Sequence, residues 1–197
     1  MSPALLHLRT SRLLLQAPDA TPGSPQVDAV ADFYRRNAAH FAPWDPPLPA
    51  DHAAPERIAQ ALADGAEAFA TGRALRWWLQ LADAPGRVVG QVHLSSLVRG
   101  AFQSCNLGYA LDAGCQGQGL MHEALRAIVD EAFSPRLNLH RIQAGVRPEN
   151  HRSLAVLARL GFAEIGLARA YLFIDGAWRD HRLFDLTNPS FVQPADW

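Results

Sequence analysis

Gln116-Gly117-Gln118-Gly119-Leu120-Met121 stands between two segments of different period. Upstream, Cys105-Asn106-Leu107-Gly108-Tyr109-Ala110-Leu111 alternates large side chains with small or polar ones, the period of a strand. Downstream, Leu120, Ala124, Leu125, Ile128, Val129, Ala132 and Phe133 recur at helical spacing until Ser134-Pro135 stops the helix. Strand, glycine-interrupted turn and helix together aim backbone N–H groups and a helix N-terminus at an anion. The stretch is therefore expected to hold the phosphates of a cofactor.

Spacing narrows the choice of cofactor. A dinucleotide site wants G-x-G-x-x-G, but Gly119 is followed by Met121 and His122 with no third glycine. A P-loop ends in Gly-Lys-Ser/Thr, and no lysine is present here. By itself the motif also admits a glycine-rich turn with no ligand.

The rest of the chain supplies the context. Leu107-Gly108-Tyr109, the run Gln116 to Leu125, Asn138-Leu139-His140-Arg141-Ile142 and Arg147-Pro148-Glu149-Asn150-His151-Arg152-Ser153 follow one another in order. Leu157-Ala158-Arg159-Leu160-Gly161-Phe162 and Ile174-Asp175-Gly176-Ala177-Trp178-Arg179-Asp180-His181 close the series. In this order they resemble the GCN5-related N-acetyltransferases (GNAT), whose pyrophosphate loop reads Gln/Arg-x-x-Gly-x-Gly/Ala. The resemblance is to the RimJ/RimL branch, the ribosomal-protein-alanine N-acetyltransferases, and most of all to the RimJ type. It is dense from Val98 to Leu186 and thinner at Thr10-Ser11-Arg12-Leu13 and Phe41-Ala42-Pro43-Trp44. Met121 departs from the general loop and reads as a packing residue.

The chain has 197 residues, 49% of them hydrophobic, enough for one core, so residues 1–197 are expected to form a single domain. A formal net charge of −1 argues against direct nucleic-acid binding, which needs a basic stripe. The sequence has no apolar run of about 18 residues, and its start lacks the pattern of a leader. A cytoplasmic protein with no membrane contact is expected. Cys105 and Cys115 are then free thiols rather than a disulfide, and Cys115 is badly placed to be a nucleophile. His122-Glu123 begins like a zinc-protease motif, but Arg126 stands where the second histidine belongs, so no metal is expected.

Along the chain, Arg12–Gln16 reads as a strand, Val27–Arg36 as a helix and Pro43–Pro49 as a loop. Ala54–Ala70 reads as a helix, and Leu75–Ala82 and Arg87–Leu97 as strands joined by a turn at Pro85-Gly86. After the Gln116 loop and its helix come a strand at Arg141–Val146 and a helix at Ser153–Leu160 with Gly161 at its end. Two last strands, Glu164–Phe173 and Trp178–Leu186, meet at Asp175-Gly176. The resemblance implies the α/β GNAT fold: a mixed sheet of about seven strands, helices on both faces, and a splay between the fourth and fifth strands. Gly108 and Gly145, which weaken local pairing, suit such a splay.

The resemblance also assigns the site. The co-substrate is acetyl-CoA, its pantetheine arm held by the main chain of Tyr109, Ala110 and Leu111, with Leu111 five residues before Gln116 as in the family. Gln116, Gly117, Gln118, Gly119, Leu120 and Met121 surround the pyrophosphate. Asn150 suits a helix N-cap and, by resemblance, an amide contact to the pantetheine. Ser153 corresponds to the serine proposed in RimL-like enzymes to protonate the departing sulfur; a serine satisfying its own helix end is the plainer reading. Phe41, Trp44 and Asp45, with Tyr171, Phe173 and Trp178, are candidates for the acceptor groove, and a core role for the aromatics is equally open.

No general base transfers from relatives, because Gly145, Leu157 and Leu172 stand at the places where they carry ionisable groups. Glu123, Asp45, Asp175 and Asp180 remain as carboxylates, Glu123 more as a structural partner and Asp180-His181 as a salt-bridged turn. An α-amine of pKa near 8 is about one-tenth neutral at pH 7, a lysine only about 10⁻³. The missing base thus favours an α-amine. The expected partners are acetyl-CoA and a protein N-terminus, that of a ribosomal protein, with a small amine as the other enzymatic reading. A catalytically silent acyl-CoA-binding module is the reading from another class.

Overall fold

A computed structural model describes residues 7–194; Met1–Leu6, part of the stretch read for a leader, lie outside them. Eight strands form one sheet: β1 (Leu8–Arg9), β2 (Leu13–Gln16), β3 (Leu75–Leu81), β4 (Ala84–Val98), β5 (Ser104–Leu111), β6 (Arg141–Val146), β7 (Ala163–Ile174) and β8 (Ala177–Thr187). Their spatial order is β1-β2-β3-β4-β5-β6-β8-β7, and every neighbouring pair is antiparallel except β5–β6. The strand beyond the expected seven is β1, two residues folded back on β2.

Four helices cover the sheet: α1 (Pro25–Phe41), α2 (Pro55–Thr71), α3 (Leu120–Phe133) and α4 (His151–Arg159). The larger core lies under α3 and α4, where Leu125, Ile128 and Leu157 pack on Leu79 and Ile142. A smaller core lies under α1 and α2, built from Phe33, Ile58, Leu62, Trp78 and Val88. Helix α1 outruns its sequence reading at both ends. Ser24 caps it, its side chain accepting from Gln26 N–H, and Pro25 fits the first turn, where no backbone donor is needed. At the far end Asn37 and Phe41 are buried, so contacts with the rest of the protein sustain the helix beyond Arg36.

The turn between β3 and β4 falls at Ala82-Asp83, not at Pro85-Gly86. Pro85, Gly86 and Arg87 instead form an irregularity inside β4, where the register passes from Leu81↔Ala84 to Gln80↔Val88. Gly86 takes φ of 97°, and its N–H donates to Gln80 Oε1 at 2.8 Å. A proline is tolerated there because the ladder needs no donor from it.

The functional consequence of the fold lies between β5 and β6. They pair in parallel at only three positions, Ser104↔Arg141, Cys105↔Ile142 and Asn106↔Gln143. Beyond these, β5 stays paired with β4 as far as Gly90↔Leu111, and β6 stays paired with β8. The sheet is parted from Leu107 onward, as the resemblance implies. Gly108 has a further role that its sequence context did not suggest: a Cβ there would lie 2.4 Å from the ring of His93 on β4.

Candidate active site

One side of β5 is saturated by β4 while the other faces the gap, so alternate main-chain groups along Tyr109 to Leu111 are left for a ligand. These three residues line a cavity of about 580 Å³ that also reaches Gln116, Gly117, Gly119, Leu120, Met121, Asn150 and Ser153. An extended amide chain laid beside β5 would complete its hydrogen bonding as a sheet neighbour does.

At one end of the cavity, Gly117 and Gly119 both take φ of 76°, and Gly119 is the residue from which α3 starts. Positive φ at alternate positions folds the loop so that successive N–H groups converge, and the first turn of α3 adds donors with no partner inside the helix. A Cβ at Gly117 would meet nothing within 4 Å, and one at Gly119 only Arg12 at 3.6 Å, so the loop encloses open space. His122, in the first turn of α3, lines the cavity and has a buried Nδ1 with no partner among the described residues. Conformation, donors and room fit a pyrophosphate. Gln118 is outside the cavity lining; its carbonyl accepts from Arg12 Nη1 at 2.9 Å. Met121 is 6% exposed and packs in the larger core, as its departure from the loop pattern suggested.

Two sets of contacts fix this loop. Glu123 accepts from Thr10 Oγ1 (2.6 Å), Ser11 Oγ (3.0 Å), Arg12 N–H (2.9 Å) and Arg12 Nε (2.6 Å), tying the β1–β2 turn to α3. Burial pushes the Glu123 carboxyl up, but these donors outweigh it and hold it at about 2. Glu123 is therefore a structural partner, as expected. The second set was not legible in the sequence. Asp112, just after β5, accepts from Arg36 Nε at 2.7 Å and from Gly114 N–H at 2.9 Å, while Asn37 Oδ1 accepts from Ala113 N–H at 3.0 Å. Gln116 Nε2 and His40 Nε2 lie 2.9 Å apart. One polar stripe of α1 (Arg36, Asn37, His40) thus holds the connection that leads into the loop. Its only signal is polar spacing on a helix whose partners lie about 75 residues away.

Near the middle of the cavity, Asn150 caps α4, its Oδ1 accepting from Ser153 N–H at 3.1 Å. The Ser153 hydroxyl donates to the Tyr109 hydroxyl at 2.7 Å. The resemblance implies a main-chain role for Tyr109, and its side chain in addition reaches α4. Burial pushes its phenol up to about 12, partly offset by the bond from Ser153, so it keeps its proton at neutral pH.

The acceptor candidates divide. Phe41, Trp44 and Asp45 line the cavity, although Phe41 is the last residue of α1 and belongs to the smaller core rather than to a free loop. Arg147 donates to the Pro43 carbonyl, and its guanidinium lies 5.4 Å from the Trp44 ring centroid, so the loop after α1 is fastened to the loop after β6. Tyr171, Phe173 and Trp178 do not line the cavity. Tyr171 packs on His181, and Trp178, 64% exposed, packs on Phe173 in the last hairpin. Asp180 is not a salt-bridged turn residue: its Oδ1 accepts from Ala170 N–H at 2.8 Å, where the β7–β8 register slips. Asp175 pairs with Arg179 at 3.3 Å. Both cysteines are free, and burial, then Asp112, raises the Cys115 thiol, which disfavours the thiolate a nucleophile needs. Among the described residues no group of three or more His, Cys, Asp or Glu is arranged to hold a metal, and no helix is long and apolar enough to cross a membrane.

A parted strand edge running into a glycine loop at a helix start fits an acyl-CoA-dependent acyltransferase. The chain belongs to the GNAT acetyltransferase family, whose profile, described as Acetyltransferase (GNAT) domain, matches residues 12–163. The chain is 39% identical over 163 residues, 83% of each chain, to the Escherichia coli K12 [ribosomal protein uS5]-alanine N-acetyltransferase. The crystal structure of the ribosomal-protein-S5-alanine acetyltransferase of Vibrio fischeri superposes with a TM-score of 0.89 at 30% identity, covering 95% of this chain and all of that one. RimJ of Mycobacterium smegmatis, solved in complex with CoA-disulfide, gives 0.81 at 32% identity, covering 97% and 90%.

Proposed function

We propose that this protein transfers the acetyl group of acetyl-CoA to the N-terminal α-amine of a ribosomal protein, by direct attack with both substrates bound, and that residues 1–197 act as one domain in the cytoplasm. The observation that carries the reading is that the open edge of β5, the Gly117–Gly119 loop and Ser153 all face one cavity. The similarity to the Escherichia coli uS5-alanine enzyme over 83% of both chains supports the choice of acceptor.

In this reading the loop N–H groups and the start of α3 hold the pyrophosphate, and Tyr109 to Leu111 hold the pantetheine amides by main chain, with Asn150 contributing an amide contact. A β5 N–H facing the gap polarises the thioester carbonyl, stabilising charge that develops there. Ser153 donates its proton toward the departing sulfur, the protonated Tyr109 hydroxyl replenishes it, and Tyr109 regains a proton from solvent. Trp44 and Phe41 frame the acceptor end. Mass spectrometry of ribosomal proteins from cells lacking this chain is expected to show one of them lighter by one acetyl group. If all keep their acetylation while small amines are acetylated by the purified protein, the acceptor is a small molecule instead.

A further inference from the structure

The carboxylates near the site differ in what they are bound to. Glu123 has four donors, Asp112 is held by Arg36 and Asn37, Glu149 lies 3.4 Å from Arg147, and Asp180 serves the β7 backbone. Asp45 alone among the carboxylates lining the cavity has no hydrogen-bond or ion-pair partner among the described residues, and its surroundings act on it only through burial. Its place is fixed all the same. Trp44 and Asp45 N–H both donate to the Phe41 carbonyl, at 2.8 and 3.0 Å, and Arg147 holds the same short loop from the far side of the gap. An unpaired, half-buried carboxylate thus projects from an anchored loop backbone on a cavity wall shared with the open edge of β5.

We propose that Asp45 is the catalytic base of this transfer: it receives the ammonium group of the acceptor and takes its proton before the nitrogen attacks the thioester. The proposal rests on the acetyl-transfer reading above and adds to it the group that relatives place elsewhere. The ammonium gives one proton to Asp45 and becomes a neutral amine, whose lone pair forms the new C–N bond. The C–S bond breaks with its electron pair on sulfur. The nitrogen sheds a second proton as the amide forms, the sulfur gains one, and Asp45 returns its own to solvent, so one net proton is released per turnover.

The strength of the base suits the task. Burial pushes Asp45 up to about 6 from the ordinary 3.8. Taking a proton from an α-ammonium of pKa near 8 is then uphill by about 10²-fold, against about 10⁴-fold for an ordinary aspartate. The other ionisable groups around it are engaged: Tyr34 with Gln91 (3.5 Å), His40 with Gln116, Tyr109 with Ser153, and Arg147 with Glu149. His122, His151, Arg152 and Arg159 line the same cavity from α3 and α4 and add no further carboxylate to it.

The test is the pH profile of kcat/KM for the full chain and for Asp45→Asn, measured with an alanine-initiated peptide and with a small primary amine of similar pKa. The full chain is expected to be at half its maximal rate near pH 6 and to level off near pH 7. The variant is expected to rise to the amine's own pKa near 8 and to be on the order of 20-fold slower at pH 6.5. Acetyl-CoA affinity by calorimetry is expected to be unchanged. Profiles of the same shape for both proteins overturn the proposal, and so does a variant that has lost acetyl-CoA binding, which would make Asp45 a structural residue. If only the small amine reacts, the ribosomal acceptor is wrong, and the amine's profile still decides the role of Asp45.

Discussion

The Ser153 hydroxyl donates to the Tyr109 hydroxyl across 2.7 Å, and the Tyr109 hydroxyl donates to the Ser153 carbonyl at 3.3 Å. Strand β5 and helix α4 are thereby joined by a pair of hydroxyls inside the cavity. In the proposed transfer the serine hydroxyl turns toward the departing sulfur, and its oxygen is left facing the tyrosine hydroxyl, which passes it a proton.

Ser153→Ala is expected to lower kcat on the order of 10-fold and to leave acetyl-CoA affinity near the wild-type value, because the role proposed for the hydroxyl is to act on sulfur as it departs. Tyr109→Phe keeps the ring and removes the relay, so its loss should be in kcat and smaller. Steady-state kinetics with calorimetry separates the cases. A Ser153→Ala protein with lowered stability and full turnover would show that Ser153 serves only the end of α4.

Much of this was readable because the signals are local. The change of period across Gln116 to Met121 gives strand, loop and helix, and the Asn150 cap lies three residues from the N–H that it binds. Contacts between distant segments were not readable. Tyr109 shows its face by alternation, but nothing in the sequence places α4 beside it. Arg36 and Asp112 are 76 residues apart, and either alone is an ordinary surface charge. Pro85-Gly86 misled because the same dipeptide that makes a turn also makes a bulge when a partner such as Gln80 satisfies its N–H.

Gly119→Val is expected to abolish measurable acetyl-CoA binding. The residue takes φ of 76°, which costs a side-chain-bearing residue about 1–2 kcal/mol and more if it is β-branched. Relief of that strain would unwind the start of α3 and turn its donors away from the pyrophosphate. Unchanged affinity by calorimetry would remove the loop from the co-substrate site.

Glu123→Gln is expected to lower stability at pH 7 by on the order of 1–2 kcal/mol, the worth of one or two charge-assisted hydrogen bonds. Because the folded carboxyl titrates at about 2, below its ordinary 4.5, its contribution is complete above about pH 4.5 and is lost as pH falls toward 2. Urea unfolding of both proteins at several pH values should show the gap narrowing across that window. A gap independent of pH would mean that the charge of Glu123 contributes nothing.

Arg147→Ala is expected to raise KM for the acceptor several-fold while acetyl-CoA affinity holds. The guanidinium fastens the loop of Pro43, Trp44 and Asp45 through the Pro43 carbonyl and the Trp44 ring, and a cation over an aromatic face is worth about 1 kcal/mol. Equal effects on both substrates would instead point to a general loosening of the gap.

Where the sheet parts, the His93 ring fills the space that a side chain at Gly108 would need. Gly108→Ala must displace a half-buried imidazole whose buried Nδ1 already has no partner among the described residues, so a loss of about 1–3 kcal/mol is expected. Truncating the ring should relieve the conflict. His93→Ala combined with Gly108→Ala is then expected to be less destabilised than the sum of the single variants, a coupling that a double-mutant cycle in urea measures directly. The same ring has a signature in pH. Burial, then the nearby Arg76, depresses His93 to about 4, so the unfolded chain binds its proton first. Stability from this group is therefore complete above about pH 6.5 and falls as pH drops toward 4, and His93→Ala should flatten the slope in that window. Additive single effects, or a slope that survives the substitution, would mean that the ring yields easily and that Gly108 is dispensable at the parting of the strands.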